Sequence, residues 1–355
     1  MNSEVFLLIK YLGSKRALLP QLTAIAEASQ AHTALDLFTG TTRVAQAFKR
    51  VGIAVTALDS ASYSEALAKT FIELDGATAN TGELADAVAH LNSLPGEAGY
   101  FTKAFCEDAR YLQPGNGELV DAAREAIERD YRESWLYWPL LTSLLLAADR
   151  VDSTTGLQMA YLKQWSARSF NRLELRAPEL LDSRGTAIRG DAMALAKGLP
   201  EVELAYLDPP YNQHRYFTNY HVWETLVRWD KPESYGIANK REDARGDEHK
   251  SVFNSKRTMP DALRTLLGEV NAETIVLSYN NESWLDRDEL IAACEPRGHV
   301  EVLDIEFRRY VGSQIGIYGK DGRLVGKPGR KRNLEHIVIV GERSRVERMV
   351  AAARL

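Results

Sequence analysis

Val202-Glu203-Leu204-Ala205-Tyr206-Leu207-Asp208-Pro209-Pro210-Tyr211 decides the fold. Its first part is an apolar run that reads as a buried strand of a parallel sheet, where both faces are covered. The two prolines stop that strand, because proline has no N–H to give to a ladder. A carboxylate, a stiff turn and an aromatic ring are left at the carboxyl end of a strand, where open α/β sheets bind ligands. Six further strand-like runs surround it: Thr33 to Phe38, Ile53 to Leu58, Thr186 to Arg189, Thr274 to Ser278, Val300 to Phe307 and Glu335 to Val340. After the first, Asp36-Leu37-Phe38-Thr39-Gly40-Thr41-Thr42 turns into a helix over Arg43 to Val51. Gly40 there can take a positive φ and lets a ligand approach the backbone. Asp59 ends the second strand, where Rossmann-type sites hold ribose hydroxyls. A nicotinamide dinucleotide therefore competes as ligand, but the first turn lacks the Gly-x-Gly-x-x-Gly that a pyrophosphate calls for. Asp191 follows the third strand as Gly190-Asp191 and can accept from a ligand amine or cap a helix.

The chain has 355 residues, 45% hydrophobic and 26% charged, with a net charge of -5. That is globular composition, and attraction to nucleic acid must come from local basic patches. Two distant cysteines, Cys106 and Cys294, make neither a disulfide framework nor a metal spacing, and a reducing cytoplasm is expected. Val5 to Ile9 is too short for a signal peptide, and Trp135 to Ala148 too short for a membrane span.

From Thr70 to Leu181 the strand pattern disappears. Asp121 to Arg132 and Trp135 to Arg150 read as helices, the second apolar almost all round and so buried. Pro114-Gly115-Asn116-Gly117 reads as a turn before them. The stretch Thr154 to Arg168 mixes aromatic, polar and basic residues, a composition suited to nucleic acid, with Lys163 and Arg168 as its cations. Past Tyr211, a polar-aromatic loop holds Tyr216, with His214 and His221 read as loop or phosphate contacts. Lys231 to Pro260 has no period and reads as a mobile loop. The clearest basic patch runs from Arg308 and Arg309 to Arg330, Lys331 and Arg332, interspersed with glycines. Its arginines suit phosphates or guanine edges.

Asp208-Pro209-Pro210-Tyr211 at a strand end, preceded in order by Tyr11-Leu12-Gly13-Ser14-Lys15, the Asp36 to Thr42 turn, Asp59 and Asp191, resembles the alpha-class, Dam-like adenine-N6 DNA methyltransferases. One departure is Thr42, where that family usually has a small residue, often glycine. The resemblance implies a Rossmann-like, seven-stranded mixed sheet with its last strand antiparallel, plus a helical insertion. It implies S-adenosylmethionine as cofactor, held by Tyr11, Lys15, Asp36, Phe38, Gly40, Asp59 and Asp191. It also implies that Asp208, Pro209, Pro210 and Tyr211 act on an adenine flipped out of double-stranded DNA. The adenine amine is a poor nucleophile, so Asp208 and the Pro209 carbonyl would each accept one of its hydrogens while Tyr211 stacks on the base. The expected division is a catalytic domain over 1–75 and 182–345, a helical target-recognition insertion over 76–181, and a mobile loop over 231–260. Tyr216, Lys163, Arg168, Arg308, Arg309, Arg330, Lys331 and Arg332 are the expected DNA contacts, with no metal. Such enzymes often belong to restriction-modification systems, and a cognate endonuclease would be a separate chain. The alternatives are methylation of RNA adenine or of cytosine N4, and a DNA-binding protein that keeps the cofactor pocket without catalysis.

Overall fold

The computed structural model describes residues 8–308, 317–318, 324–326 and 332–354, apart from 212 and 214. Seven strands form one sheet: β1 (Thr33–Asp36), β2 (Ala54–Asp59), β3 (Thr186–Arg189), β4 (Val202–Leu207), β5 (Ala272–Asn280), β6 (His299–Arg308) and β7 (Arg332–Gly341). Their order across the sheet is β3-β2-β1-β4-β5-β7-β6. β4 is parallel to β1, with Ala205 opposite Leu35, and parallel to β5, with Leu207 opposite Leu277. β2 and β3 are also parallel. β7 runs antiparallel to both neighbours, placing Ile337 opposite Ser278 and Leu303. The α/β class, the seven strands and the late antiparallel strand are as the sequence predicts. β4 carries buried apolar side chains on both faces, from Val202 to Leu207, as a central strand must.

The chain divides into two compact units. One comprises Lys15–Phe38, Ala192–Gln213 and Ser251–Leu355. It holds β1, β4 to β7 and the helices Leu19–Ser29, Met259–Glu269, Arg287–Cys294 and Arg343–Ala353. Leu19–Ser29 packs on Arg343–Ala353, burying Leu22 and Ile25 on the first and Val346 and Met349 on the second.

The other comprises Met1–Ser14, Thr39–Asp191 and His214–Lys250. Its helices are α1 (Arg43–Arg50), α2 (Ser62–Ala68), α3 (Thr81–Ser93), α4 (Pro114–Tyr131), α5 (Tyr137–Val151) and α6 (His221–Arg228), of which α3, α4 and α5 fall within 76–181. α5 is buried nearly all round, from Leu140 to Val151, as its composition predicts. α4 starts at Pro114, not after the glycines that read as a turn. Proline suits the first helical position, where its missing N–H would have no partner. Gly117 lets the helix approach its neighbour, since a Cβ there would lie 2.5 Å from Cys106 Sγ. Within the segment read as a loop, Ser234–Tyr235 pairs with Lys240–Arg241. Arg241 is buried there, with Nη1 and Nη2 each 2.7 Å from an oxygen of Asp230 and Nη2 2.7 Å from Asp243 Oδ2. No helix among the described residues is long and apolar enough to cross a membrane.

Candidate functional site

In the first of these units Asp208 stands directly past β4, where the prolines end the strand. Lys15 reaches it from the turn that opens the unit, with Nζ 3.0 Å from Asp208 Oδ1 and 2.5 Å from Glu335 Oε1. Ser278, near the end of β5, donates its hydroxyl to the same Glu335 oxygen at 2.6 Å. Because β7 is antiparallel, its early residues lie beside the ends of the parallel strands, and Glu335 sits opposite Asn280. Lys15 and Glu335 are buried, while the Asp208 side chain keeps 19% of its surface exposed.

Two carboxylates share one ammonium, so the ionised cluster carries a surplus negative charge. Burial pushes the Asp208 carboxyl up to about 6; Lys15 opposes that push and Glu335 adds to it. Burial also works against the Lys15 charge, but Asp208 and Glu335 together hold the ammonium well above its ordinary range. One ammonium on Oδ1 leaves Asp208 a second oxygen as acceptor. The Tyr211 ring lies beside this group, its centroid 5.9 Å from Lys15 Nζ and 5.5 Å from the Tyr279 ring. Tyr279 is itself buried and bonds Met259 Sδ at 3.2 Å. Asp36 is buried at the end of β1, and Phe38 meets Phe253 edge-on at 5.5 Å. Sequence reading assigned Lys15 to the cofactor and gave Glu335 no role. The one signal for Glu335 was an acid at the head of the apolar run Ile337 to Val340.

In the other unit, the turn after Thr39 is built around glycine. Gly40 has φ +50°, and its N–H donates to Asp59 Oδ2 at 2.8 Å. Ala61 N–H donates to the other Asp59 oxygen at 3.0 Å. Burial holds the Asp59 carboxyl above the usual range, against the pull of those N–H groups. Thr42, which replaces the family's small residue, nevertheless takes the left-handed conformation at φ +62°. Its hydroxyl donates to Thr41 O at 2.6 Å and accepts from Gln46 Nε2 at 2.8 Å. Side-chain bonds thus hold a backbone shape that is strained for a β-branched residue. Tyr11 lies over the turn: a Cβ on Gly40 would come 3.1 Å from its ring. Gly40→Ala is therefore expected to cost about 1–2 kcal/mol of stability, from strain and crowding together. Chemical denaturation of the pure variant checks this.

Tyr216, expected at the DNA, stacks on Tyr11 at 5.3 Å, and Tyr220 stacks on it at 4.8 Å. Asp191 is exposed after β3. Lys163 is exposed, and its carbonyl accepts from Arg110 Nη1 at 2.7 Å. Arg168 is committed to the fold: Nη2 bonds Asp152 Oδ1 and Thr154 O, each at 2.6 Å, and Nε bonds Asp152 O at 2.8 Å. Arg168→Ala should lower thermal stability by about 1–2 kcal/mol, as expected for lost charge-assisted bonds. It should leave the salt dependence of any DNA binding unchanged, which a titration at several salt concentrations reads.

His221 does not reach phosphate. It is fully buried, and Nε2 lies 2.9 Å from Gln158 O. His214, Arg309, Arg330 and Lys331 lie outside the described residues, and Arg308 and Arg332 are described only as paired strand ends. Among the described residues no cluster of His, Cys, Asp or Glu could hold a metal ion.

Comparison with known proteins gives the chain a family. Residues 11–292 match the family described as D12 class N6 adenine-specific DNA methyltransferase. The chain is 30% identical over 328 residues to the modification methylase StsI of Streptococcus sanguinis, covering 86% of this chain and 50% of that protein. It is 29% identical over 318 residues to the type II methyltransferase M.NlaIII of Neisseria lactamica, covering 85% and 92%. It is 28% identical over 327 residues to the type II methyltransferase M.FokI of Planomicrobium okeanokoites, covering 85% and 50%. The chain thus spans about half the length of two of these relatives and most of the third. With four-fifths of its length matched by one family model, the chain belongs to the D12 class of N6 adenine-specific DNA methyltransferases.

Proposed function

We propose that this protein transfers a methyl group from S-adenosylmethionine to N6 of an adenine flipped out of duplex DNA, as the modification half of a restriction-modification system. A cognate endonuclease is then a separate chain. The observation that carries this reading is the Lys15–Asp208 ion pair at Pro209-Pro210-Tyr211. Family membership and relatives named as modification methylases support it.

Each unit offers groups whose chemistry suits the cofactor. Asp59, bonded by both oxygens to backbone N–H groups, still has lone pairs for ribose hydroxyls. Tyr11 and Phe38 offer ring faces, and Asp36 and Asp191 carboxylates suit the amine and hydroxyl groups of the ligand. The surplus negative charge of the Asp208 cluster suits a sulfonium cation. Nothing in this set demands a phosphate. When bound, the cofactor supplies a methyl carbon activated by its sulfonium.

Asp208 accepts one hydrogen of the target amine and the Pro209 carbonyl accepts the other. That draws the nitrogen towards tetrahedral geometry and frees its lone pair for attack. The prolines fix both acceptors before the base arrives. Tyr211 stacks on the flipped base. Once methylated, the amine would be cationic. Asp208 is the acceptor nearest its proton, which leaves to water.

Incubating duplex DNA with the protein and S-adenosylmethionine, then digesting to nucleosides, tests the reading. N6-methyldeoxyadenosine is expected. Methylated cytosine, or transfer to RNA in preference to duplex DNA, would replace the reading with another.

A further inference from the structure

Of the side chains that join Asp208 in one hydrogen-bonded group, Glu335 alone lies beyond residue 292, where the family match ends. It is an acid inside an apolar strand, 1% exposed. A carboxylate so buried is costly unless it is paired. Its partners are Lys15 Nζ at 2.5 Å and Ser278 Oγ at 2.6 Å, both on Oε1. The ammonium is thus closer to Glu335 than to Asp208, which it meets at 3.0 Å.

We propose that Glu335 is a positioning residue for methyl transfer: by taking the larger share of the Lys15 ammonium, it keeps Asp208 a strong acceptor for the target amine. The inference rests on the reading of the activity given above. A lysine bound by Asp208 alone would spend that carboxylate on a charge-assisted pair, leaving a weaker acceptor for the amine. With Glu335 competing, Asp208 stays ionised yet basic, and its carboxyl is correspondingly held up to about 6. The other groups that face this cluster are Tyr206 and Tyr211, whose hydroxyls burial keeps neutral, with Asp36 acting on Tyr206 and Glu282 on Tyr211. The only cation acting on Asp208 among the described residues is Lys15. The identity of the charge on β7 therefore decides how much of that cation Asp208 receives.

The test is the pH profile of single-turnover methylation by the full chain at saturating S-adenosylmethionine and duplex DNA. Transfer needs ionised Asp208, so the wild-type rate falls on the acid side with a midpoint near the Asp208 value of about 6. Glu335→Gln keeps the shape and the Ser278 bond but removes the competing charge. Its acid limb should move down by about one pH unit, and its plateau should fall about tenfold as the acceptor weakens. Glu335→Asp should restore the limb towards the wild-type position. Ser278→Ala leaves both charges but strips a donor from Glu335, which then pulls harder on Lys15, so the limb should move up. A limb that stays in place in Glu335→Gln overturns the proposal, whatever the plateau does. If Glu335→Gln does not fold, an unmoved or lowered limb in Ser278→Ala overturns it instead. Absence of transfer by the wild type would sink the activity and this inference together; an unmoved limb in an active enzyme sinks the inference alone.

Discussion

Changing Asp208 to alanine lowers single-turnover methyl transfer by about a hundred- to a thousandfold, the scale seen when a preorganised charge-stabilising group is removed from a reacting centre. Duplex binding should stay within a few-fold of wild type, because affinity for DNA comes mainly from phosphate contacts, which Asp208 does not make. The lesion should also be chemical rather than structural. With Asp208 gone, Lys15 keeps Glu335 at 2.5 Å, so no buried charge is left unpaired. Asp208→Asn should fall between the two proteins, since an amide oxygen still accepts a hydrogen bond but without charge. Rapid-quench measurement of transfer beside an equilibrium DNA titration separates the two effects. A protein that only binds DNA would have no rate to lose.

Acid should unfold the unit that carries the insertion through His221. Its Nε2 faces the Gln158 carbonyl, which can only accept, so Nε2 carries the hydrogen of the neutral ring. Nδ1 is buried without a partner among the described residues. Burial pushes this imidazole down to about 3, the Gln158 carbonyl works against that, and Lys240 and Arg241 add to it. A histidine depressed in the folded state gives its full contribution above the unfolded value near 6.5, and that contribution is lost as pH falls from there towards about 3. The folded state binds fewer protons in that window, so stability drops with each step into acid. Across the window the loss is roughly 4–5 kcal/mol from this one ring, a large part of the 5–15 kcal/mol typical of a domain. His221→Gln keeps a donor for Gln158 O and cannot be protonated, so its stability should fall less steeply. Denaturant melts of both proteins from pH 7 to pH 4 measure the difference; parallel slopes would rule it out.

The sheet was readable because most of its strands are short apolar runs closed by an acid or a glycine, and the period survives without any knowledge of partners. Asp208 was readable for the same reason: the residues around it have to stop a strand. Glu335 and Lys15 were not readable as a pair. They lie 320 residues apart, and only the antiparallel insertion of β7 brings the start of that strand to the ends of β4 and β5. The hold on Arg168 was not readable, because a cation that binds phosphate and one that pins a loop look alike in sequence. The Asp152 that claims it lies sixteen positions earlier. The burial of His221, read as a loop or phosphate contact, was missed because polar and aromatic neighbours suggest a surface, whereas Phe105 and Tyr111 close over it at 5.9 and 5.8 Å. The first turn of α4 was missed because Pro-Gly-Asn-Gly favours turns locally, and packing against Cys106 decided otherwise.

The most direct test sets two alleles side by side. Long-read sequencing of DNA from cells expressing the wild-type chain should show a modified adenine at one recurring sequence, and the same cells carrying Asp208→Ala should show none. Modified adenine in both strains, or a modified cytosine in the first, would contradict the role given to the carboxylate at the end of β4.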